Sequence, residues 1–346
     1  MAQRALHGVN LAGWLSLKQW VTPELFAGTG MLGEQGLIDT LGDELYRDLV
    51  REHQSTFITK NDFALIARRG FNAVRLLVPW YVLGKGGPNP GRHVGCIEQV
   101  DNAFEWAEDN ELKILLVLDI NPGDKGEEEV ISSTGRGHRS DMLDVLFALA
   151  TRYAKEPALF GIEVANEPVV QRRRGLFGIT EGVPLHSLRN YYRMAYESIR
   201  SAAGDRPCVV LPEANASTAW RSFMAKRRYQ NVWLDCHLFH YDEQIDATGP
   251  AGAATLVARS RETLRQAQRN GMPVMAGAWS AALPFADSLM TPEGRIALER
   301  VYCAEQIAAF ENLPAWFFQT WKTSSHLSGW DSRVALSSFE RGMLAG

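Results

Sequence analysis

A glutamate flanked by an amide and a proline is the sharpest candidate for chemistry in this sequence. Glu167 follows Asn166 and precedes Pro168, directly after an apolar run that is typical of a buried strand. A carboxyl group in a partly apolar surrounding has a raised pKa, which suits a general acid that protonates a leaving oxygen. The same tripeptide also occurs as a helix cap or on a surface. Whether Glu167 is catalytic therefore depends on where that strand ends in the fold.

Other polar side chains follow or lie within the neighbouring apolar runs. They include carboxylate, amide, imidazole, guanidinium and indole groups. This mixture suits the hydroxyls of a sugar, since carboxylates and amides form paired hydrogen bonds and an aromatic face packs on the sugar's C–H surface. Neutral polyols therefore fit better than phosphates. The residues are Arg75, Asp119, Asn121, Glu213, His237 and Trp321.

Eight short apolar runs alternate with segments of helical spacing. Near-continuous apolar runs separated by helices are typical of a parallel sheet covered on both faces. Eight runs predict a closed (β/α)₈ barrel, one domain over residues 1–346, with its active site at the carboxyl ends of the strands. An open doubly wound sheet is the alternative. The predicted strands cover residues 5–12, 72–78, 113–119, 159–165, 207–213, 231–238, 273–279 and 315–321.

Helices are predicted between these runs. Thr59 and Asp62 have the spacing of a capping box at the start of one helix, and Gly70 follows its end. The gap between residues 12 and 72 is long enough to hold structure beyond a single crossover helix. The predicted helices cover residues 59–69, 97–110, 139–155, 186–203, 252–270 and 292–312.

The composition is that of a folded globular chain: 346 residues, 46% of them hydrophobic and 22% charged. The 36 basic and 40 acidic residues give a net charge of −4 without a long run of either sign, which argues against nucleic acid or an anionic membrane as partner. Four cysteines lie far apart and show no C-x-x-C spacing, so we interpret them as buried thiols. They are Cys96, Cys208, Cys236 and Cys303.

No segment has the sequence pattern of a targeting signal or of a membrane-spanning helix. The first residues lack a basic region followed by an unbroken apolar stretch, and no apolar stretch reaches 18 residues. We therefore expect a cytoplasmic chain, or a secreted one if a leader has been removed.

Seven ordered blocks span nearly the whole chain. They are GVNLAGWL at 8–15, VTPELF at 21–26, GFNAVRL at 70–76, ANEP at 165–168, DCHLF at 235–239, PVMAGAWS at 273–280 and FFQTWKT at 317–323. Together they resemble glycoside hydrolase family 5 of clan A, and within it the exo-β-1,3-glucanase and β-glucosidase group. The resemblance implies a TIM barrel that hydrolyses β-glucosidic bonds with retention. It implies a carbohydrate or glycoside substrate and no metal or organic cofactor, and it leaves the oligomeric state open.

The resemblance also implies roles for individual residues. Glu167 matches the family's acid/base, and Asn166 matches the residue that holds the sugar 2-hydroxyl. Arg75 matches a guanidinium beside the nucleophile. His237 and Trp321 match positions that hold the substrate.

The nucleophile position departs from the family pattern. Family members carry a glutamate where this chain has Ala278, between Gly277 and Trp279. A retaining enzyme needs a second carboxylate about 5–5.5 Å from the first, and a methyl group cannot replace it. We interpret Ala278 as a nucleophile-to-alanine change that disables the enzyme, of the kind used to trap substrate. A natural carbohydrate-binding pseudoenzyme is the alternative, and a transglycosylase or diglycosidase acting on a small-molecule glycoside is a third reading.

Three further positions differ from the family. Asn121 stands where members tend to have histidine, and Phe239 stands where they have a tyrosine beside the nucleophile. Tyr241, two residues on, is the candidate to supply that hydroxyl. Lys18 replaces an acidic residue that holds the terminal sugar. These differences bear on the substrate more than on the reaction.

The remaining candidates are weaker. Glu163 shares the inward face of its strand with Glu167, and we expect it to be buried and structural. Glu213 is expected to bind substrate at the rim or to cap a helix, because its strand lies beside that of Glu167. A metal site at His237, His240 and Asp242 is disfavoured, since H-x-x-H on a strand divides the imidazoles between two faces.

The sequence contains ten tryptophans, more than a core of this size needs. Trp279 and Trp330 are predicted at the sugar site. Four others are predicted to pack in the interior: Trp14, Trp20, Trp80 and Trp220.

Overall fold

Eight parallel strands close into a barrel in this computed structural model, which describes residues 4–29, 33–87, 91–119, 136–171, 173–174, 178–179, 182–224, 226–245, 247, 249–284 and 290–337. Each strand pairs with the next along the chain, and the last pairs with the first. The (β/α)₈ barrel is confirmed, and the open doubly wound sheet is wrong. The strands are β1 (Leu6–Asn10), β2 (Ala73–Pro79), β3 (Lys113–Asp119), β4 (Leu159–Glu163), β5 (Cys208–Pro212), β6 (Val232–Leu238), β7 (Val274–Trp279) and β8 (Ala315–Phe318).

Helices surround this barrel. The gap between β1 and β2 holds two of them, the first kinked at Gly42. The predicted capping box is present, with the Thr59 N–H donating to Asp62 over 2.9 Å, and Gly70 has the left-handed φ expected after that helix. The helices are α1 (Gly33–Thr56), α2 (Lys60–Arg68), α3 (Ile97–Asp109), α4 (Arg136–Tyr153), α5 (Leu185–Ala203), α6 (Pro250–Gln268), α7 (Pro292–Ala309) and α8 (Ser332–Ala335).

The apolar side chains form two main layers. One cluster takes residues from all eight strands and from no helix, so it fills the barrel interior; it includes Ala73, Leu77, Trp233 and Met275. A larger cluster lies between the strands and the helices. Because side chains alternate along a strand, residues that share a face with the interior cluster point into the barrel.

All four cysteines are free and buried, which confirms their interpretation. Among the described residues, no helix combines the length and the hydrophobicity needed to span a membrane.

Candidate active site

A buried arginine joins three strands at the centre of the site. Arg75 lies on β2 two residues after Ala73, and it therefore points into the barrel. Its Nε and Nη2 donate to the two carboxylate oxygens of Glu163 over 2.9 and 2.8 Å, and its Nη1 donates to Asn10 Oδ1 over 2.8 Å. Glu163 is fully buried, as predicted. Burial raises the pKa of its carboxyl despite the facing guanidinium.

A second chain of polar contacts leads from Arg75 to β3. Arg75 Nη2 donates to Asn166 Oδ1 over 3.0 Å, and Asn166 Nδ2 donates to Asp119 Oδ1 over 3.3 Å. Lys18 Nζ lies 2.7 Å from the other oxygen of Asp119. Ser16 also donates to this carboxylate. Lys18 therefore brings a positive charge into the same cleft as Asn166.

Glu167 is the exposed carboxylate of the site. Its φ of 50° lies in the left-handed region that non-glycine residues rarely adopt, and its side chain is 48% exposed. Oε1 lies 3.0 Å from His237 Nδ1. Burial of its surroundings opposes ionisation, but the hydrogen bond from His237 and the charges of His237, Arg75 and Lys18 lower the pKa of Glu167 to about 2. The condition for a general acid, a pKa raised by an apolar surrounding, is not met in this chain, because the charges of His237, Arg75 and Lys18 act on the carboxyl.

His237 bridges two carboxylates. Its Nδ1 faces Glu167, and its Nε2 lies 3.2 Å from Asp235 Oδ2. Burial favours the neutral ring, but the charge and the hydrogen bond of Asp235 together with Glu167 raise the pKa of His237 to about 10. Both ring nitrogens therefore carry hydrogen at neutral pH and donate to the two carboxylates.

Ala278 lies beside His237. The two residues are register partners on β6 and β7, and partners in a sheet share a face, so Ala278 points toward the site. The preceding residue, Gly277, donates its N–H to Asp235 Oδ1 over 2.5 Å and accepts a hydrogen bond from Asn10 Nδ2 over 3.0 Å. The backbone on one side of position 278 is therefore held by buried side chains.

A cavity of about 370 Å³ opens in front of these groups. Its lining includes Glu167, Glu213, His237, Phe239 and Tyr241. The side chain of Glu213 accepts hydrogen bonds from the Ala216 N–H and the Ser217 hydroxyl, at the start of a short 3₁₀ helix (Ser217–Trp220).

Two predicted sugar contacts do not face the cleft. Trp279 and Trp321 are both enclosed in the layer between the barrel and the helices. Trp279 packs against aromatic rings there, and the Trp321 indole donates to Asp62 of α2 over 2.8 Å. Their ring faces are covered by protein, so the structure corrects both predictions. Asn121, also predicted to bind substrate, lies outside the described residues.

The structure also changes the roles of other candidates. Trp20, predicted to pack in the interior, is 37% exposed and contacts Trp330 at the mouth of the barrel. Both ring nitrogens of His240 contact other residues, Glu243 and Ser260. They are therefore not turned toward His237 to form the metal site that the sequence disfavoured. Sequence reasoning missed Asp235, although its position two residues before His237 on one strand indicates the same inward face.

Three side chains of the site could offer atoms to a metal ion. Glu163, Asp235 and His237 each present one such atom, all within 4.8 Å of one another. However, Arg75 takes both oxygens of Glu163, and protonated His237 donates to Asp235. This donor set fits an ion-pair network better than a cation site.

The fold and the site together define a (β/α)₈ barrel with a carboxylate-rich cleft at the carboxyl ends of its strands. The chain matches the cellulase family, glycosyl hydrolase family 5, over residues 48–287. It belongs to that family and is a glycoside hydrolase.

The chain is also similar to curated relatives, and solved structures share its fold. The chain is 27% identical to a probable glucan 1,3-beta-glucosidase A of Aspergillus fumigatus, over 96% of this chain and 86% of that one. It is 27% identical to a glucan 1,3-beta-glucosidase of Blumeria graminis, over 92% and 83%. The barrel superposes on a rutinosidase from Aspergillus niger (TM-score 0.73, 16% identity, 95% and 92% covered) and on endoglucanase Cel5A from Thermotoga maritima (0.60, 15%, 98% and 96%).

Proposed function

We propose that this chain is a retaining β-glycoside hydrolase of the exo-glucanase or β-glucosidase type, disabled at position 278. Its substrates are β-glucosides or β-glucan oligosaccharides. The names of its glucan 1,3-beta-glucosidase relatives support this substrate class. The family membership supports the reaction.

One observation carries the proposal: position 278 lies beside the hydrogen-bonded charged groups of the site. His237, the register partner of Ala278, holds Glu167 on one side and Asp235 on the other. Asp235 in turn fixes the backbone at Gly277. Ala278 stands in this arrangement at the position that matches the family's second carboxylate.

With glutamate at 278, the reaction runs in two steps. The carboxylate attacks the anomeric carbon while Glu167 gives its proton to the leaving oxygen, and a glycosyl–enzyme ester forms. Glu167 then takes a proton from water, and the hydroxide oxygen displaces the ester to release the sugar. In this scheme Asn166, the neighbour of Glu167, binds a sugar hydroxyl. Ala278 offers no oxygen, so the ester cannot form in this chain.

Restoring the carboxylate tests the proposal. We expect Ala278→Glu to hydrolyse an aryl β-glucoside faster than the present chain by roughly 10⁴–10⁶-fold, the scale on which nucleophile removal slows covalent enzymes. Ala278→Gln, of the same size but uncharged, is the control and stays inactive. Azide or formate should partly restore turnover of an activated glycoside by the present chain. If neither the substitution nor the anions produce turnover on any aryl β-glycoside, the mechanism is wrong.

A carbohydrate-binding pseudoenzyme is the second candidate, and the Lys18–Asp119 ion pair favours it. This pair occupies the cleft where the family places an acidic residue for the sugar, as expected if turnover were no longer selected. Titration calorimetry with β-glucan oligosaccharides separates the two functions. Binding by both the present chain and Ala278→Glu, with turnover by neither, supports the pseudoenzyme.

A further inference from the structure

The ion pair of Lys18 and Asp119 differs in exposure from the buried pair of Arg75 and Glu163. Lys18 Nζ lies 2.7 Å from Asp119 Oδ2, and the Lys18 side chain is 26% exposed while that of Asp119 is 4% exposed. The side chains of Arg75 and Glu163 are 1% and 0% exposed. Of these two cations, Lys18 is therefore the one that a ligand in the cleft can reach.

The carboxylate of Asp119 is occupied by protein groups. Its Oδ1 accepts the Asn166 amide over 3.3 Å, and its Oδ2 accepts the Ser16 hydroxyl and contacts Lys18. A carboxylate that is nearly covered and already holds three groups offers a ligand little acceptor surface. Asp119 therefore anchors the ammonium of Lys18, and the ammonium is the charge that faces the cleft.

The backbone that carries Lys18 is fixed by hydrogen bonds. The Lys18 carbonyl accepts the N–H groups of Val21 and Thr22 over 2.9 and 3.2 Å. The Val21 carbonyl in turn accepts the Ser324 N–H over 3.0 Å, which ties this loop to the loop after β8. A group held in place before binding loses little conformational entropy when a ligand arrives.

Lys18 and Glu167 approach the cleft from different sides. Lys18 follows β1 and contacts the end of β3, whereas Glu167 turns to His237 on β6. Two strands separate β3 from β6 along the shorter way around the barrel. A sugar whose anomeric carbon lies at Glu167 can therefore bring a distant substituent to Lys18 without placing it against the Glu167 carboxylate.

We propose that Lys18 makes the cleft selective for a sugar ring that carries an anionic group away from its anomeric carbon. The group is a carboxylate, as in a uronic acid, or a sulfate ester. Both pair with an ammonium through charge-assisted hydrogen bonds, whereas an acidic side chain at position 18 would repel them. This inference rests on the proposed function for the claim that the ligand of the cleft is a sugar.

The present chain is suited to a direct binding test, because without a nucleophile the glycosides stay intact. Titration calorimetry compares methyl β-glucoside with its 3-sulfate and with methyl β-glucuronide. We expect at least one of the two anionic ligands to bind about tenfold more tightly than the neutral one, and the ligand that gains identifies the anionic group. Raising NaCl from about 0.05 M to 0.5 M should reduce this gain, since Lys18 is partly exposed.

Three variants assign the gain to the ammonium. Lys18→Met should remove the preference for the anionic ligand, and Lys18→Arg should keep most of it because the positive charge remains. Lys60→Met is the matched control, because Lys60 also lies 2.7 Å from an aspartate, Asp109, but joins α2 to α3 outside the barrel. This control should keep the preference, and thermal unfolding checks that all three variants are folded.

The outcomes separate this inference from the proposed function. Equal affinity of the parent for the three ligands, or a preference that persists in Lys18→Met, overturns the role of Lys18. Turnover of an aryl β-glucoside by Ala278→Glu would in that case leave the proposed function intact. Both proposals fail if the parent binds none of the ligands and Ala278→Glu cleaves neither an aryl β-glucoside nor an aryl β-glucuronide.

Discussion

At the level of single residues, a carboxylate introduced at position 278 should change the protonation of Glu167. In this chain Glu167 has a pKa of about 2 and His237 a pKa of about 10, so between these values the pair is a carboxylate and an imidazolium. An ionised carboxylate cannot donate a proton to a leaving group. A second carboxylate beside His237 would share its positive charge and repel the charge on Glu167, which favours protonated Glu167.

Ala278→Glu should therefore raise the pKa of Glu167. We expect kcat/KM of this variant on an aryl β-glucoside to be bell-shaped in pH, falling on the alkaline side as Glu167 loses its proton and on the acidic side as the carboxylate introduced at position 278 gains one. The measurement is a pH–rate profile. In the double variant with Glu167→Gln, an activated aryl glycoside that needs no acid should show no alkaline limb in its glycosylation step. A profile of the single variant that stays flat from about pH 4 to 9 contradicts this reading.

The buried arginine allows a prediction on stability. Arg75→Met leaves the fully buried Glu163 without its partner, which should lower the free energy of unfolding by about 3–5 kcal/mol at pH 8. Without the guanidinium, the pKa of Glu163 in the folded state rises further above its unfolded value. The destabilisation that comes from Glu163 is then absent below its unfolded pKa and grows as pH rises through the folded pKa.

Urea unfolding at pH 5 and pH 8 measures this difference. The deficit of Arg75→Met relative to the parent should be smaller at pH 5 than at pH 8. The control is Arg152→Met, which breaks the exposed pair with Asp101 and should cost no more than about 1 kcal/mol. A deficit at pH 8 no larger than that of the control would refute the role given to Arg75.

At the scale of elements, the contact between β6 and β7 sets the position of residue 278. A Cβ added at Gly277 would overlap the Asp235 carboxylate, and Asp235 is held by His237 and by the Gly277 N–H itself. Glycine at 277 is therefore a packing requirement. The close approach brings the two strands together where the site needs them.

Gly277→Ala should destabilise the fold by about 1–3 kcal/mol, because Asp235 or β7 must move to make room. It should also abolish any turnover that Ala278→Glu restores, since the displaced strand carries residue 278. Denaturant unfolding and an activity assay in the Ala278→Glu background measure both effects. Gly249→Ala is the control, because a Cβ there meets no atom within 4 Å. Equal stability of the two glycine variants would show that β7 is not constrained at this point.

The strands and the tryptophans show which features of the fold can be predicted from the sequence and which cannot. All eight strands were predictable because a strand buried on both faces reads as a continuous apolar run. Trp279 was misplaced because the register of β6 and β7 shifts between Asp235 and His237, so simple alternation along β7 fails near residue 278. Trp321 and Trp20 exchanged expected roles because burial of an indole depends on which loop or helix covers it. The roles of Glu167 and Ala278 stay predictions.

At the scale of the whole molecule, closure of the barrel links the two ends of the chain. The β1 strand pairs with β8 from Leu6–Ala315 to Val9–Phe318. Removal of any one strand would therefore leave its two neighbours with unpaired backbone edges. The interior apolar cluster takes residues from every strand of the barrel, so the packing of the core also depends on all eight strands. The stability of the fold therefore depends on all eight strands of the closed barrel together.

This closure predicts one cooperative unfolding transition. Scanning calorimetry should give a single peak with equal calorimetric and van't Hoff enthalpies, of about 240 kcal/mol near 60 °C at the usual enthalpy per residue. A variant that ends at Leu313 lacks β8 and should show no cooperative peak. Two resolved transitions in the parent, or a folded truncated variant, would contradict the single domain predicted for residues 1–346.

The intact surroundings of Ala278 have a genetic consequence. Alanine codons that end in a purine differ from glutamate codons only at the middle base. If codon 278 ends in a purine, one nucleotide replacement converts the present chain into the Ala278→Glu variant, which the proposed function expects to be active. A random mutant library plated on a chromogenic glucoside would therefore recover active clones at the frequency of point mutations.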